Sequence, residues 1–430
     1  MYAFLAKLRY RIAGVRLLSL VTVPAMIALL LMGLAFVLIW METLREEAAE
    51  TLWPLDISYD TATSFLSVVA TGAITALSLA YSLVLVVFTL AAGNIGPRLL
   101  KRFSTDRVNQ VTAGLFGGTF LHALTTLYAT EPGFVPQLAI GGTGFLAVLS
   151  VAQLIYFVRE VSTSVSIDDE IAEIANGLER DIGRLIAGGE TTSVTLDEDR
   201  IDFSHTLRTE RSGYIGHVDW HRLATLAAEE DVVVKFAERR GRFLIRGQTL
   251  LHLSDAIGDD SVAAMRNCIE IAEARSMRDN IEFSIHLLLE IALRALSPGV
   301  NDTFTAITCV DRLSSALAGP AESGMRQQVM PDDDGVPRVL VPGMSAADLI
   351  GTAYHPMRRA SRDNVLMARH LADALVRLAE VARDEVRAAL EEHARLLLRE
   401  IEANDFLPED LAFVRQRLAP LLEPGAAAEA

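Results

Sequence analysis

Eight polar residues recur at helical spacing along one apolar stretch of the chain: Asp60, Ser64, Ser67, Thr71, Thr75, Ser78, Ser82 and Thr89. At about 100° per residue they fall within an arc of roughly 80°, and the stripe they form is on the order of 44 Å long. Leu66, Val69, Ala73, Leu77, Ala80, Val84 and Val87 take the opposite face. Two chemistries fit such a stripe. Small hydroxyl residues let helices approach closely and bond across a bundle, or bond back to their own helix. Alternatively, the hydroxyls line a water-filled pathway. In a protomer with few spans, that requires an oligomer with this helix facing a central axis and Asp60 at the outer mouth.

A shorter stripe follows, in which Thr112, Thr119, His122 and Thr126 share an arc, with Gly114 and Gly118 forming a GxxxG on another face. His122 is an ionisable residue inside an apolar run and so a functional candidate; the plainer reading is a neutral imidazole satisfied by a neighbouring hydroxyl. Farther on, Asp279, Glu282, His286 and Glu290 lie along one helix face. Carboxylate and imidazole at that spacing can hold a divalent metal. They can equally form an ion-pair ladder, Arg275 with Asp279 and Glu290 with Arg294. One helix face rarely completes a coordination sphere, so no metal or other cofactor is expected. The sequence has no Walker A loop, GxSxG, HExxH or Rossmann glycine set, so no enzymatic role is expected. Asn301 and Asp302 beside Asp311 read as a capped helix turn, and Cys268 and Cys309 as buried, unpaired thiols.

The elements that must position these residues are mostly helices in lipid. Of the 430 residues 51% are hydrophobic, and mean hydropathy is +0.31. A wholly soluble chain is rarely so apolar. Four runs, 17–41, 61–92, 108–128 and 134–157, are each long enough to cross about 30 Å of hydrocarbon. The first follows Lys7, Arg9, Arg11 and Arg16 but is too long for a signal peptide's apolar core, so it reads as a retained helix. The loop 41–60 is acidic, whereas the loop 93–107 carries Arg98, Lys101, Arg102 and Arg107. Cationic residues near span ends favour the cytoplasm, which places both termini there. The net charge of −16 lies mostly outside the apolar part and argues against a nucleic-acid partner.

After Arg159 a helix is expected over 167–186, ended by Gly188-Gly189. A Gly-punctuated β module follows, with strands at 212–218, 231–236, 243–245 and 249–253 and a short helix capped by Asp219. This order resembles the small β-sandwich of biotinyl/lipoyl-like domains, without the lysine that such domains modify. Helices are expected at 261–275, at 278–296 and from 346 to 422, the last interrupted by Pro356 and Pro408. The expected fold is a mainly α integral membrane protein: a four-helix transmembrane domain (1–160), a linker helix with a small β-rich module (161–260) and a cytoplasmic helical domain (261–430).

The run from Leu289 through Glu290, Arg294, Ser297, Pro298, Asn301 and Asp302 to Ala306 resembles the hallmark of a bacterial family of predicted membrane proteins, domain of unknown function 2254. Gly96-Pro97-Arg98-Leu99-Leu100, Ser212-Gly213-Tyr214 and Tyr354-His355-Pro356-Met357-Arg358 share the resemblance; Thr303 departs from it where proline is expected. The resemblance implies four spans and a conserved cytoplasmic region, with no established activity. The favoured reading is therefore an oligomeric channel or transport-like pore in the bacterial inner membrane, lined by the second span and regulated by the cytoplasmic region. The alternative is a membrane-anchored scaffold or sensor whose cytoplasmic helices bind a partner protein.

Overall fold

A computed structural model describes residues 19–46, 57–94, 107–163, 166–191, 196, 198–275, 280–325 and 328–423. The chain divides into two compact units, Met1–Ser166 and Ile167–Ala430. The cationic leader and the basic residues Arg98, Lys101 and Arg102 lie outside the described residues.

The first unit contains α1 (Ser19–Glu46), α2 (Tyr59–Asn94), α3 (Arg107–Ala129) and α4 (Gln137–Thr163). Three of them carry stretches long and apolar enough to cross a membrane: Thr22–Leu44, Tyr59–Thr89 and Gln137–Val161. The expectation of four such helices is met for three. In α3, Thr112, Thr119, His122, Thr125, Thr126 and three glycines dilute the apolar content. Yet α3 is the helix against which α1, α2 and α4 all pack. Its GxxxG sets the approach to α1. A Cβ at Gly114 would stand 2.7 Å from Cβ of Ile27, and one at Gly118 would overlap Leu31; this is the close backbone contact that small residues permit in lipid. The fourth helix starts later than 134 because Glu131 and Phe134 exchange backbone hydrogen bonds of 2.9 and 3.0 Å. The Glu42 carboxylate then accepts from the backbone N–H groups of Gln137 (2.7 Å) and Leu138 (3.0 Å), capping the positive end of α4.

The second unit begins with α5 (Ile167–Thr191), which runs through Gly188-Gly189 rather than ending there. Its stripe Ile171, Ile174, Leu178 and Ile182 is buried at a 3.6-residue period. Two sheets follow. One has the order β1 (His205–Arg208), β5 (Thr249–Leu253), β3 (Val234–Phe236), β8 (Pro337–Val341), β7 (Gln328–Pro331), with β3 and β8 parallel. The other has the order β4 (Phe243–Leu244), β2 (Gly213–Val218), β6 (Ile269–Ala272). Leu207, Ile215, Val234, Phe236, Leu251 and Val339 share one core with Leu223 of α6 (Trp220–Glu229).

This mixed arrangement differs from the expected biotinyl/lipoyl-like order, because β7 and β8 join from the later part of the chain. The helix expected over 261–275 is also corrected. α7 (Asp259–Asn267) stops early, and Ile269 and Ile271, alternating inward, pair with β2 as strand β6. The remaining helices are α8 (Ile281–Ala295), α9 (Thr303–Ser323), α10 (Ala346–Ala360), α11 (Val365–Val381), α12 (Asp384–Glu402) and α13 (Pro408–Leu422). α5 packs on α8 and α9. Pro356 sits inside α10 without interrupting it, and Pro408 opens α13, where a missing N–H leaves no bond unmade.

Candidate functional site

The outer face of α2 is the first candidate. Asp60, Ser64, Ser67, Thr71, Thr75, Ser78, Ser82 and Thr89 are all exposed on the protomer, while Leu66, Ala73 and Ala80 on the opposite face are buried. Leu66 packs in a cluster with Ala123 and Ile140, and Ala80 with Phe116 and Phe157. The stripe therefore faces away from the packed clusters that α2 shares with the other described helices of this unit. Thr75 donates to the Thr71 carbonyl (2.7 Å), Ser78 to Ile74 (3.0 Å) and Thr89 to Leu85 (3.1 Å). Back-bonding of this kind satisfies the hydroxyl proton and leaves the oxygen's lone pairs outward. An open groove of ≈ 550 Å³ runs beside the stripe, lined by Ser67, Thr71, Gly72, Thr75, Leu79 and, from α4, Leu154.

The stripe on α3 has the opposite fate. Thr112, Thr119, His122 and Thr126 are buried. Gln153 donates its amide to Thr112 Oγ1 at 2.8 Å, and Thr119 pairs with Ser150 at 3.0 Å. Thr126 donates to the His122 carbonyl at 2.9 Å. The His122 ring bridges two helices: Nδ1 lies 3.0 Å from the Leu31 carbonyl oxygen and Nε2 3.2 Å from that of Ala139. Its partners are thus backbone carbonyls, not the hydroxyl expected. Each ring nitrogen therefore faces a carbonyl acceptor from a different helix. Ser150 and Gln153 were missed in the sequence; their three-residue spacing on an apolar helix was the available signal.

In the second unit the family-like motif forms a tight turn. Asn301 adopts a left-handed φ of 53°. The N–H groups of Val300 and Asn301 donate to the Ser297 carbonyl at 3.1 and 2.9 Å, and that of Asp302 to Ala295 at 2.8 Å. Of the two possible caps, Asp302 takes the role, accepting from Thr305 N (3.1 Å) and Thr305 Oγ1 (2.6 Å). These bonds hold its carboxyl below the usual range. Thr303, where proline was expected, accepts from the Asn364 amide at 2.8 Å. Pro298 is exposed on the turn, and Glu290 and Arg294 are partly buried on α8. Asp311 faces α11, where His370 (2.9 Å) and Arg377 (3.1 Å) meet it.

Asp279, one of the metal-ladder residues, lies outside the described residues. His286 Nδ1 accepts from Arg275 at 3.1 Å. Among the described residues no group of three or more His, Cys, Asp or Glu is placed to hold a metal ion. Cys268 and Cys309 are free and buried. Burial pushes the first thiol up to about 11 and the second to about 12, which leaves both largely protonated and unreactive at neutral pH.

The sequence profile of a family described as predicted membrane proteins, DUF2254, matches residues 18–416. Uncharacterised proteins of Mycobacterium bovis and Mycobacterium tuberculosis are each 28% identical over 284 residues, which is 62% of this chain and 53% of theirs. The matched region thus spans about half the length of those relatives. No solved structure matches.

Proposed function

We propose that this chain, which belongs to the DUF2254 family of predicted membrane proteins, assembles in the bacterial inner membrane as an oligomer whose α2 helices surround a polar pathway. The observation that carries this reading is the outward exposure of all eight stripe residues on α2. Left facing lipid, the stripe would present unpaired oxygen lone pairs and the Asp60 carboxylate along the whole span. Facing copies of itself, it supplies a hydroxyl-lined route for water and ions. α3, the polar helix at the centre, is then a fourth span protected from lipid by its three neighbours. The cationic residues before position 17 and between 98 and 107 favour the cytoplasmic side in this reading, with both termini there and the second unit as the regulatory part. No enzymatic step enters this role.

Ion flux through purified protein in liposomes tests it, with wild type compared against Ser78→Leu and Thr75→Leu. Flux that is present in wild type and altered by the substitutions, with oligomer mass retained, is the expected result. Unchanged flux in a correctly assembled variant would overturn it. The scaffold reading has one observation in its favour: Val300 on the motif turn and Phe304 in the first turn of α9 are 49% and 73% exposed. It predicts a co-purifying protein and no flux.

A further inference from the structure

We propose that the junction between the two sheets of the second unit is a binding site for a phosphate-bearing anion. A cavity of ≈ 570 Å³ opens there, lined by Arg208, Glu238, Arg242, Phe243, Gln248 and Arg275 among others. That volume is within the range of small-ligand sites. Three guanidinium groups face one carboxylate, in a chain whose net charge is −16. A concentration of cations against the overall charge, in a concave site, focuses a positive potential on whatever enters.

The arginines are held in place, two of them through backbone carbonyls. Arg208 donates from a terminal nitrogen to the Gly247 carbonyl at 2.8 Å, and Arg275 donates from Nε to the Gly241 carbonyl at 3.1 Å. Both glycines sit in the left-handed region, with φ of 88° and 80°, and a side chain at Gly241 would collide with the Asn280 amide. The loops therefore turn in a way that L side chains resist, and their carbonyls orient the guanidinium heads. Arg275 is fixed further by its bond to His286 Nδ1 at 3.1 Å and by lying over the Tyr214 ring at 5.4 Å.

A guanidinium carries five N–H donors, so both groups keep donors to spare. Among the described residues, Arg242 is the one of the three with a carboxylate close by, Glu238 at 3.6 Å, and both of those side chains are about half exposed. Gln248 is oriented too: its Oε1 accepts from the Ile245 N–H at 2.7 Å, which leaves its amide hydrogens to donate. Planar forks held rigid, with one amide donor beside them, suit the bidentate recognition of phosphoryl oxygens. Phe243, 51% exposed and edge-on to Tyr214 at 5.0 Å, adds an apolar wall for the remainder of the ligand. A soluble phosphate ester and an anionic lipid headgroup share this chemistry.

The site is independent of the pore reading, and its test is a binding measurement in which flux plays no part. Titration calorimetry on the full chain in neutral detergent would use two probes, inorganic pyrophosphate and short-chain dihexanoyl phosphatidic acid. The variants are Arg242→Ala and Arg208→Ala, both exposed positions, with exposed Arg211→Ala, outside the cavity lining, as control. Thermal unfolding would establish that each variant is folded, and Arg242→Ala, which leaves the glycine carbonyl contacts intact, carries the test if Arg208→Ala is not. Pyrophosphate binding weakened about tenfold or more by each cavity substitution, and untouched by the control, supports a soluble phosphate ligand. Arginine-dependent binding of the lipid probe alone supports a headgroup. Absence of binding of either probe up to about 10 mM, or binding that survives the cavity substitutions, overturns the proposal.

Discussion

Two stripes of the same chemistry run along neighbouring helices and meet different surroundings. On α3, Thr112, Thr119, His122 and Thr126 are buried, and the first three are tied to α1 or α4 by side-chain and carbonyl bonds. On α2, the eight-residue stripe from Asp60 to Thr89 faces out of the protomer, and its bonded hydroxyls turn back on their own helix. The difference follows from what stands opposite. α3 carries glycines that let α1 come close, and α4 brings Ser150 and Gln153 to the contact. The inward face of α2 is alanine, leucine and valine, which pack without polar partners. A buried polar seam holds one protomer together, whereas an exposed one is available to something outside it.

The largest test of this contrast is Gly114→Leu. The Ile27 Cβ cannot step aside without moving α1, so the loss of stability is expected near about 3 kcal/mol, read by denaturation in mixed micelles; a cost below about 1 kcal/mol would break the close-contact account. Next comes a polar group buried with an unmet need. His393 in the second unit is 5% exposed, and its Nδ1 has no hydrogen-bond partner among the described residues. Burial first, then His355 and Arg358, lower its pKa from 6.5 to about 4. Between those values the unfolded chain takes up a proton that the folded one refuses, so stability falls as pH drops through this window. The loss is on the order of 3 kcal/mol by pH 4, and His393→Phe is expected to flatten that part of the profile.

His122→Leu is expected to cost about 1–2 kcal/mol, since interhelical polar contacts in membranes are individually modest. A change near zero would mean that the α3 seam is passive packing. The smallest effect on protomer stability belongs to Ser78→Leu, within about 0.5 kcal/mol, although the same substitution is expected to alter flux. A large loss of stability there would place the α2 stripe in the same class as the α3 seam.

Periodicity made much of this legible. The Asp60–Thr89 arc, the GxxxG, the Asp219 cap and a cap at Asn301 or Asp302 depend on local spacing, and the structure gives the last role to Asp302. Which stripe faces inward depends on the partner helix, and Gln153 is 41 residues from Thr112 in sequence. Strand β6 hides within helical spacing because the four residues from Ile269 to Ala272 are too short for a period of two to declare itself. The β7–β8 hairpin was likewise masked by the long excursion through α8 and α9 that separates it from β3. The arginine-lined cavity was not anticipated: its residues come from five separate segments, and nothing in their spacing announces that two sheets bring them together.

The most direct measurement is disulfide crosslinking of single cysteines placed along α2 in membranes. Cys268 and Cys309 are buried and leave the background low. Ser67→Cys, Thr71→Cys, Thr75→Cys and Ser78→Cys are expected to yield crosslinked copies, while Ala73→Cys on the buried face yields none. Failure of every stripe position to crosslink, or equal crosslinking at Ala73, would contradict the claim that the hydroxyl stripe faces other copies of the chain.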